Sequence, residues 1–292
     1  MLSIKGLGTA LVTPFMAGRV DFVSYRSMVR RQVDAGVDFL VPLGSTAETP
    51  CLSADERVKL LKIAVEEADG IPVVAGAGSN SLMATIENIR LLEPCCADAY
   101  LIVAPFYNKP TQEGLYEYFK AVADSTEKPV VLYNVPSRTG VNMNVDTILK
   151  LASVPNIVAI KEASGNLSQI IDIRRLAPDG FSVLSGNDDQ TLALMACGAD
   201  GVISVASNIV PKLMKELIEA VSDSDLKKAI SVNNRLVPLY HACFAESNPI
   251  PVKAALASMG LCSAEMRLPL TEAENSTKTL LHNVLRELGM EN

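Results

Sequence analysis

The chain has 292 residues, 49% of them hydrophobic and 20% charged, with a formal net charge of −7 and a pI near 5.0. That is enough apolar material for a large core, and no basic cluster is present to neutralise phosphates, which excludes a broad nucleic-acid footprint. No run reaches the roughly eighteen apolar residues of a membrane helix, and Met1-Leu2-Ser3-Ile4-Lys5-Gly6 lacks the charged lead and apolar stretch of a secretion signal, so a soluble, unprocessed, cytoplasmic chain is expected.

Apolar, strand-like runs that end in Gly, Pro, Ser, Thr or Asn recur at 8–15, 38–44, 72–78, 99–105, 129–136, 157–162, 181–186 and 201–207, with helix-patterned segments between them. Eight strands alternating with helices over some two hundred residues is the count a (β/α)8 barrel needs. A doubly wound open sheet is the runner-up. After the second run, Ser53 and Glu56 form a capping-box pattern, followed by Val58, Leu61, Val65 and Ala68 on one predicted helical face. Segment 144–152, with Asn144 as N-cap, joins the fifth and sixth runs into a strand-helix-strand unit. Segment 211–221 closes the barrel. Helical pattern continues at 224–244, 251–259 and 271–288, with Pro238 expected to kink the first of these. The domain reading is therefore a barrel over 1–223 and a C-terminal helical extension over 224–292 packed on it, with no linker between them.

The six cysteines, at 51, 95, 96, 197, 243 and 262, show no C-x-x-C pair and read as reduced packing residues. His241 and His282 lack partners at metal-ligand spacing, so neither a metal nor any other cofactor is expected.

Parallel strand-helix-strand units place strand C-termini and the loops after them on one rim, where ligands sit. The sixth run, Asn156-Ile157-Val158-Ala159-Ile160, leads straight into Lys161. An ammonium at the end of a buried strand is expensive unless it is paired or gives up its proton. A free lysine at pH 7 is neutral in only roughly one molecule in 2,500, so burial that lowers its pKa makes it a nucleophile. The plainer alternative is a lysine that tips into solvent or pairs with Glu162. Tyr133 and Arg138, at and after the end of the fifth run, would share the rim with Lys161. Thr13-Pro14 and Gly44-Ser45-Thr46-Ala47-Glu48-Thr49 follow the first two runs. The hydroxyls of Ser45 and Thr46 could hold a small carboxylate or pass a proton, or the stretch could simply cap a helix. Phe106-Tyr107 could pack, and Ser185-Gly186-Asn187-Asp188-Asp189 could merely start a helix.

Together, Gly44-Ser45-Thr46-Ala47-Glu48, Tyr133-Asn134-Val135-Pro136, Ile160-Lys161-Glu162 and Gly201-Val202-Ile203-Ser204 resemble, in order and spacing over nearly the whole chain, the pyruvate-dependent class I aldolase family that includes dihydrodipicolinate synthase and N-acetylneuraminate lyase. The first loop departs from the usual Gly-Thr-Thr-Gly-Glu at Ser45 and Ala47, which leaves the hydroxyl in place and the loop geometry open. Ser137-Arg138-Thr139-Gly140 resembles the synthase branch.

The resemblance implies that Lys161 forms a Schiff base with pyruvate and that the resulting enamine adds to L-aspartate 4-semialdehyde, giving 4-hydroxy-tetrahydrodipicolinate, a precursor of lysine. It makes Tyr133 the proton donor and acceptor, Ser45 and Tyr107 its relay partners, Thr46, Gly186 and Ile203 the pyruvate contacts, and Arg138 the receiver of the second substrate's carboxylate. It implies that Tyr107 reaches a neighbouring subunit's site in a homotetramer built as a dimer of dimers. The alternatives are another pyruvate-dependent lyase acting on a sugar acid such as N-acetylneuraminate, and a non-catalytic keto-acid-binding barrel. In lysine-inhibited members the inhibitor's residues correspond to Thr49, Pro50, Ala54, Arg57, Asn80, Ala84 and Phe106 here; only Asn80 is kept, so weak or absent inhibition is expected.

Overall fold

The structure is a computed structural model that describes residues 4–290; the unprocessed N-terminus expected at Met1–Ser3, and the last two residues of the expected helical extension, lie outside them. Eight strands, β1 (Gly6–Ala10), β2 (Phe39–Val41), β3 (Val74–Gly76), β4 (Ala99–Val103), β5 (Val130–Asn134), β6 (Ile157–Glu162), β7 (Ser182–Ser185) and β8 (Gly201–Ser204), form one parallel sheet in the order β2-β1-β8-β7-β6-β5-β4-β3. Its two ends meet. Leu40 bridges to Val73 in parallel, the Leu40 N–H donates to the Pro72 carbonyl at 2.9 Å and the Gly76 N–H to the Pro42 carbonyl at 2.9 Å. The sheet is thus a closed barrel, and the open doubly wound alternative falls because no strand edge is left between β2 and β3.

Closure is tight in places. A Cβ on Gly76 would lie 2.1 Å from the Leu43 carbonyl oxygen, and one on Gly201, at φ +149, would lie 2.0 Å from that of Gly6. Backbones approach there to distances that exclude any side chain.

The first strand sits earlier than expected, at Gly6–Ala10, because Asp38 accepts the Leu7 N–H at 2.7 Å and β1 pairs with Gly201–Ser204. Phe15 belongs instead to a small antiparallel hairpin, Phe15–Met16 with Arg19–Val20. The capping box of Ser53 and Glu56 is present at the start of α2 (Ala54–Glu67), which follows α1 (Phe22–Asp34), and its buried stripe is Leu60, Leu61, Ile63 and Ala64. Val58 and Val65, expected on one face with Leu61 and Ala68, are half-buried and flank the stripe. The remaining barrel helices are α3 (Leu82–Leu92), α4 (Gln112–Asp124), α5 (Val145–Ala152), α6 (Leu167–Leu176), α7 (Thr191–Ala196) and α8 (Pro211–Ser222). Asn144 caps α5 by accepting the Thr147 N–H at 3.0 Å.

Inside the barrel, Val41, Val74, Ala99, Leu101, Val131, Ala159, Leu184 and Ile203 pack into one apolar plug; a larger core lies between the sheet and its helices. Of three further helices, α9 (Leu226–Cys243, with Pro238 inside it), α10 (Ile250–Ser258) and α11 (Asn275–Glu287), the first packs on α8 and all three pack on one another. Of the six cysteines, Cys95 and Cys243 are buried packing residues; Cys96 and Cys197 are exposed, because Cys96, itself at φ +62, ends a 3₁₀ turn and Cys197 caps the end of α7. Among the described residues no helix is long and apolar enough to cross a membrane, and no group of three His, Cys, Asp or Glu is placed to hold a metal ion.

Candidate active site

A cavity of about 460 Å³ opens at the C-terminal ends of the strands, a size suited to small organic ligands. Lys161 and Tyr133 are directly paired across β6 and β5, so both point into the barrel, while their successors Glu162 and Asn134 point outward. The Lys161 Nζ lies over the Tyr133 ring, 4.4 Å from its centroid. The sequence alternative of a Lys161–Glu162 pair fails for this reason of pleat: Glu162 accepts instead from Asn134 Nδ2 at 3.0 Å, the Ser164 N–H at 2.6 Å and Gln169 Nε2 at 3.3 Å.

Lys161 is 6% exposed. Burial pulls its pKa down to about 8, the buried Asp188 carboxylate pushing it up and the Arg138 charge pushing it further down. At pH 7 that leaves about a tenth of the amines neutral, some two orders of magnitude above a free lysine. Burial pushes the Tyr133 phenol up to about 12, against a lowering by Arg138; among the described residues its hydroxyl makes no hydrogen bond to another protein group, and it faces the cavity.

Six of the eight site residues expected from sequence line this cavity: Ser45, Thr46, Tyr133, Arg138, Lys161 and Gly186. Ile203 does not; it is 1% exposed and belongs to the apolar cluster inside the barrel, other members of which, Val41 and Leu101, line the cavity. Tyr107 does not either. It is 88% exposed, with φ +73, a conformation rare for a bulky residue. No hydrogen bond joins Ser45, Tyr107 and Tyr133 among the described residues of this single chain.

The loop question raised by Ala47 has a local answer. Ser45–Ala47 form one right-handed 3₁₀ turn, and the left-handed residue is the next one, Glu48, at φ +54. Ala47 therefore carries its Cβ without strain. Thr13, fully buried, donates to the Ala47 carbonyl at 2.9 Å and supports the turn from below. Arg138 sits in a one-turn helix, Pro136–Thr139, ended by Gly140 at φ +74. Gly186 is required where it stands, since a Cβ there would lie 2.6 Å from that of Ala163.

Sequence reasoning missed the roof. Phe244, Ala245, Glu246, Ser247 and Asn248, between α9 and α10, line the cavity together with Asn187. Asn248 Nδ2 donates to Thr46 Oγ1 at 2.9 Å, and its carbonyl accepts from Arg138 Nη2 at 3.0 Å. Behind the roof, Lys253 and Glu48 form an ion pair at 2.8 Å with both side chains 0% exposed. The only sequence signal was the break in helical pattern at Pro249 and Pro251. Asp188 does start a helical turn, Asp188–Gln190, as read from sequence, and is in addition a buried clamp whose Oδ2 accepts the N–H groups of Val205 and Ala206 at 3.0 and 2.9 Å.

Residues 3–288 match the Dihydrodipicolinate synthetase family. The chain belongs to that family. Members it resembles include a 4-hydroxy-tetrahydrodipicolinate synthase of Thermotoga petrophila, 47% identical with 98% of this chain and 99% of the relative covered. Dihydrodipicolinate synthase from Thermotoga maritima superposes with a TM-score of 0.97 at 46% identity, covering 99% of this chain and all of that one. A monomeric dihydrodipicolinate synthase variant superposes with the same score and identity, covering 98% and 97% of the two chains.

The lowered pKa of Lys161 has a kinetic consequence. Only the free amine attacks a carbonyl, and its fraction rises about tenfold per pH unit until pH passes the pKa. Trapping the lysine adduct of pyruvate with borohydride at increasing pH should give a rate that climbs and levels near pH 8, with the label lost in Lys161→Ala. Levelling only above pH 10, or label on another lysine, would contradict the assignment.

Proposed function

We propose that this cavity condenses pyruvate with L-aspartate 4-semialdehyde through a Schiff base at Lys161, giving 4-hydroxy-tetrahydrodipicolinate for lysine and diaminopimelate synthesis in the cytoplasm. The observation that carries this is a buried lysine lying on a buried tyrosine ring with an arginine above, in a chain 46–47% identical to enzymes named for that product. The amine of Lys161 adds to the keto carbon of pyruvate and water leaves. Loss of a methyl proton gives the enamine, which adds to the aldehyde carbon of the second substrate. The second substrate's own amine then displaces Lys161 from the imine carbon and closes the ring. One water is released overall, and no redox step or cofactor is needed. Tyr133 carries protons to and from the carbinolamine, since its hydroxyl faces the cavity beside Lys161. Thr46 and Gly186 line the pyruvate end, with Ile203 supporting the floor.

Arg138, exposed on the rim, offers the guanidinium's planar fork to the carboxylate of the semialdehyde. Arg138→Ala should leave pyruvate trapping intact while lowering kcat/KM for the semialdehyde by about 2 to 5 kcal/mol in transition-state free energy. Parental efficiency in that variant would favour the sugar-acid reading, for which no observation here speaks.

Tyr107 and Ser45 complete the proton relay only if Tyr107 comes from a second copy of the chain. Its exposure and positive φ support an outward role, in a dimer that itself pairs into a tetramer. Mixed oligomers of inactive Tyr107→Phe and Lys161→Ala should regain activity, because one site in each hybrid dimer has both residues; demonstrated hybrids without activity count against it.

Lysine should inhibit weakly or not at all. Thr49, Pro50, Arg57, Ala84 and Phe106 line a second cavity of about 620 Å³ whose two cations, Arg57 and Arg138, donate to Asn88 and to the Asn248 carbonyl at 3.0 Å each, and whose one carboxylate, Glu48, is paired with Lys253. An ammonium placed among them meets no carboxylate at position 84, a loss of about 2 kcal/mol or roughly thirtyfold in affinity. Half-inhibition by submillimolar lysine in a coupled assay would overturn this.

A further inference from the structure

The roof of the cavity carries a charge that the reaction as described does not use. Glu246 is the one carboxylate among the residues lining the cavity. Its Oε1 accepts the backbone N–H of Glu274 at 2.9 Å, which ties it to the segment before α11, and its Oε2 accepts from no group among the described residues. Asp188, the other acid nearby, is not in the lining: its Oδ2 takes the Val205 and Ala206 N–H groups and its Oδ1 is buried.

We propose that Glu246 receives the α-ammonium of the second substrate and so selects an amino-acid aldehyde over the same aldehyde acid without its amine. The inference rests on the reaction proposed above. The second substrate carries a carboxylate and an ammonium on one carbon. The roof offers a matching pair: Arg138, anchored to the Asn248 carbonyl, and Glu246, two residues before Asn248 on the same segment. The arrangement has a chemical use, because that nitrogen must later reach the imine carbon. A half-buried carboxylate with a free oxygen holds it inside the cavity, where a charged hydrogen bond is stronger than in water. Desolvating the ammonium without such a partner would cost affinity.

The plainer role for Glu246 is as a tether for the Glu274 N–H. Glu246→Gln separates the two, since the amide oxygen can still accept that N–H while the charge is gone. With pyruvate saturating, two quantities are measured in parent and variant: the KM for L-aspartate 4-semialdehyde, and the inhibition constant of 4-oxobutanoate, which lacks only the amine. The expected result is a KM raised roughly tenfold to a hundredfold, with the 4-oxobutanoate constant moved less than about twofold and borohydride labelling of Lys161 retained. An unchanged KM, or equal losses for both compounds, overturns the proposal. Parental failure to turn over the semialdehyde would instead overturn the reaction on which it rests, so the two failures are told apart by the parent alone.

Discussion

An ammonium is costly to bury, and the site is arranged around burying one. Lys161 is the last residue but one of a strand whose preceding residues are all in the core, and its Nζ rests on the face of Tyr133. The ring's negative face offsets part of the lost hydration, the Asp188 carboxylate adds a favourable field and Arg138 an unfavourable one. The balance leaves the amine with a pKa of about 8, so that about a tenth of it is neutral at pH 7. A lysine paired directly with a carboxylate would have stayed charged and inert. The pleat prevents this by sending Glu162 to the opposite face, where Asn134, Ser164 and Gln169 satisfy it.

That outer network also aligns the strands. Asn134 and Glu162 face each other in register one position beyond Tyr133 and Lys161, so hydrogen bonds outside the barrel hold the two reactive side chains side by side within it. Buried polar networks of this kind fix geometry when every member is satisfied.

The C-terminal helices are part of the active site. Lys253 of α10 reaches Glu48, two residues beyond Thr46, donates also to the Glu265 carbonyl at 2.5 Å and lies over the Phe15 ring at 4.2 Å. Glu48 further accepts the Arg267 N–H at 3.2 Å, and the Arg267 guanidinium grips Glu56 at 2.7 Å. A buried ion pair gives little net stability over an apolar substitute, yet removing one partner leaves the other charge stranded. Its effect is to fix which way the Ser45-Thr46 turn faces, and with Asn248 bridging Thr46 and Arg138, floor and roof are bound into one frame.

The amino-acid sequence by itself determined the eight-strand alternation, the capping of α2 and α5, and the identity of Lys161, Tyr133 and Arg138 as rim residues. These follow from local rules: apolar runs bounded by turn residues, side-chain oxygens at helix starts, and a charged residue at the end of a buried run. What it left open was every contact between residues far apart in the chain. Whether Lys161 met Glu162 or Tyr133 depended on the β5–β6 register; whether Ala47 was strained depended on which residue of the loop took the left-handed conformation; and the burial of Ile203 among the barrel's inner side chains depended on the pairing of β8 with β1 and β7. Asn248, Lys253 and Glu246 lie about two hundred residues after Thr46 and Glu48, and no periodicity links such positions. Only closure of the barrel and packing of α9 and α10 over its mouth bring them within hydrogen-bonding distance or onto one cavity wall.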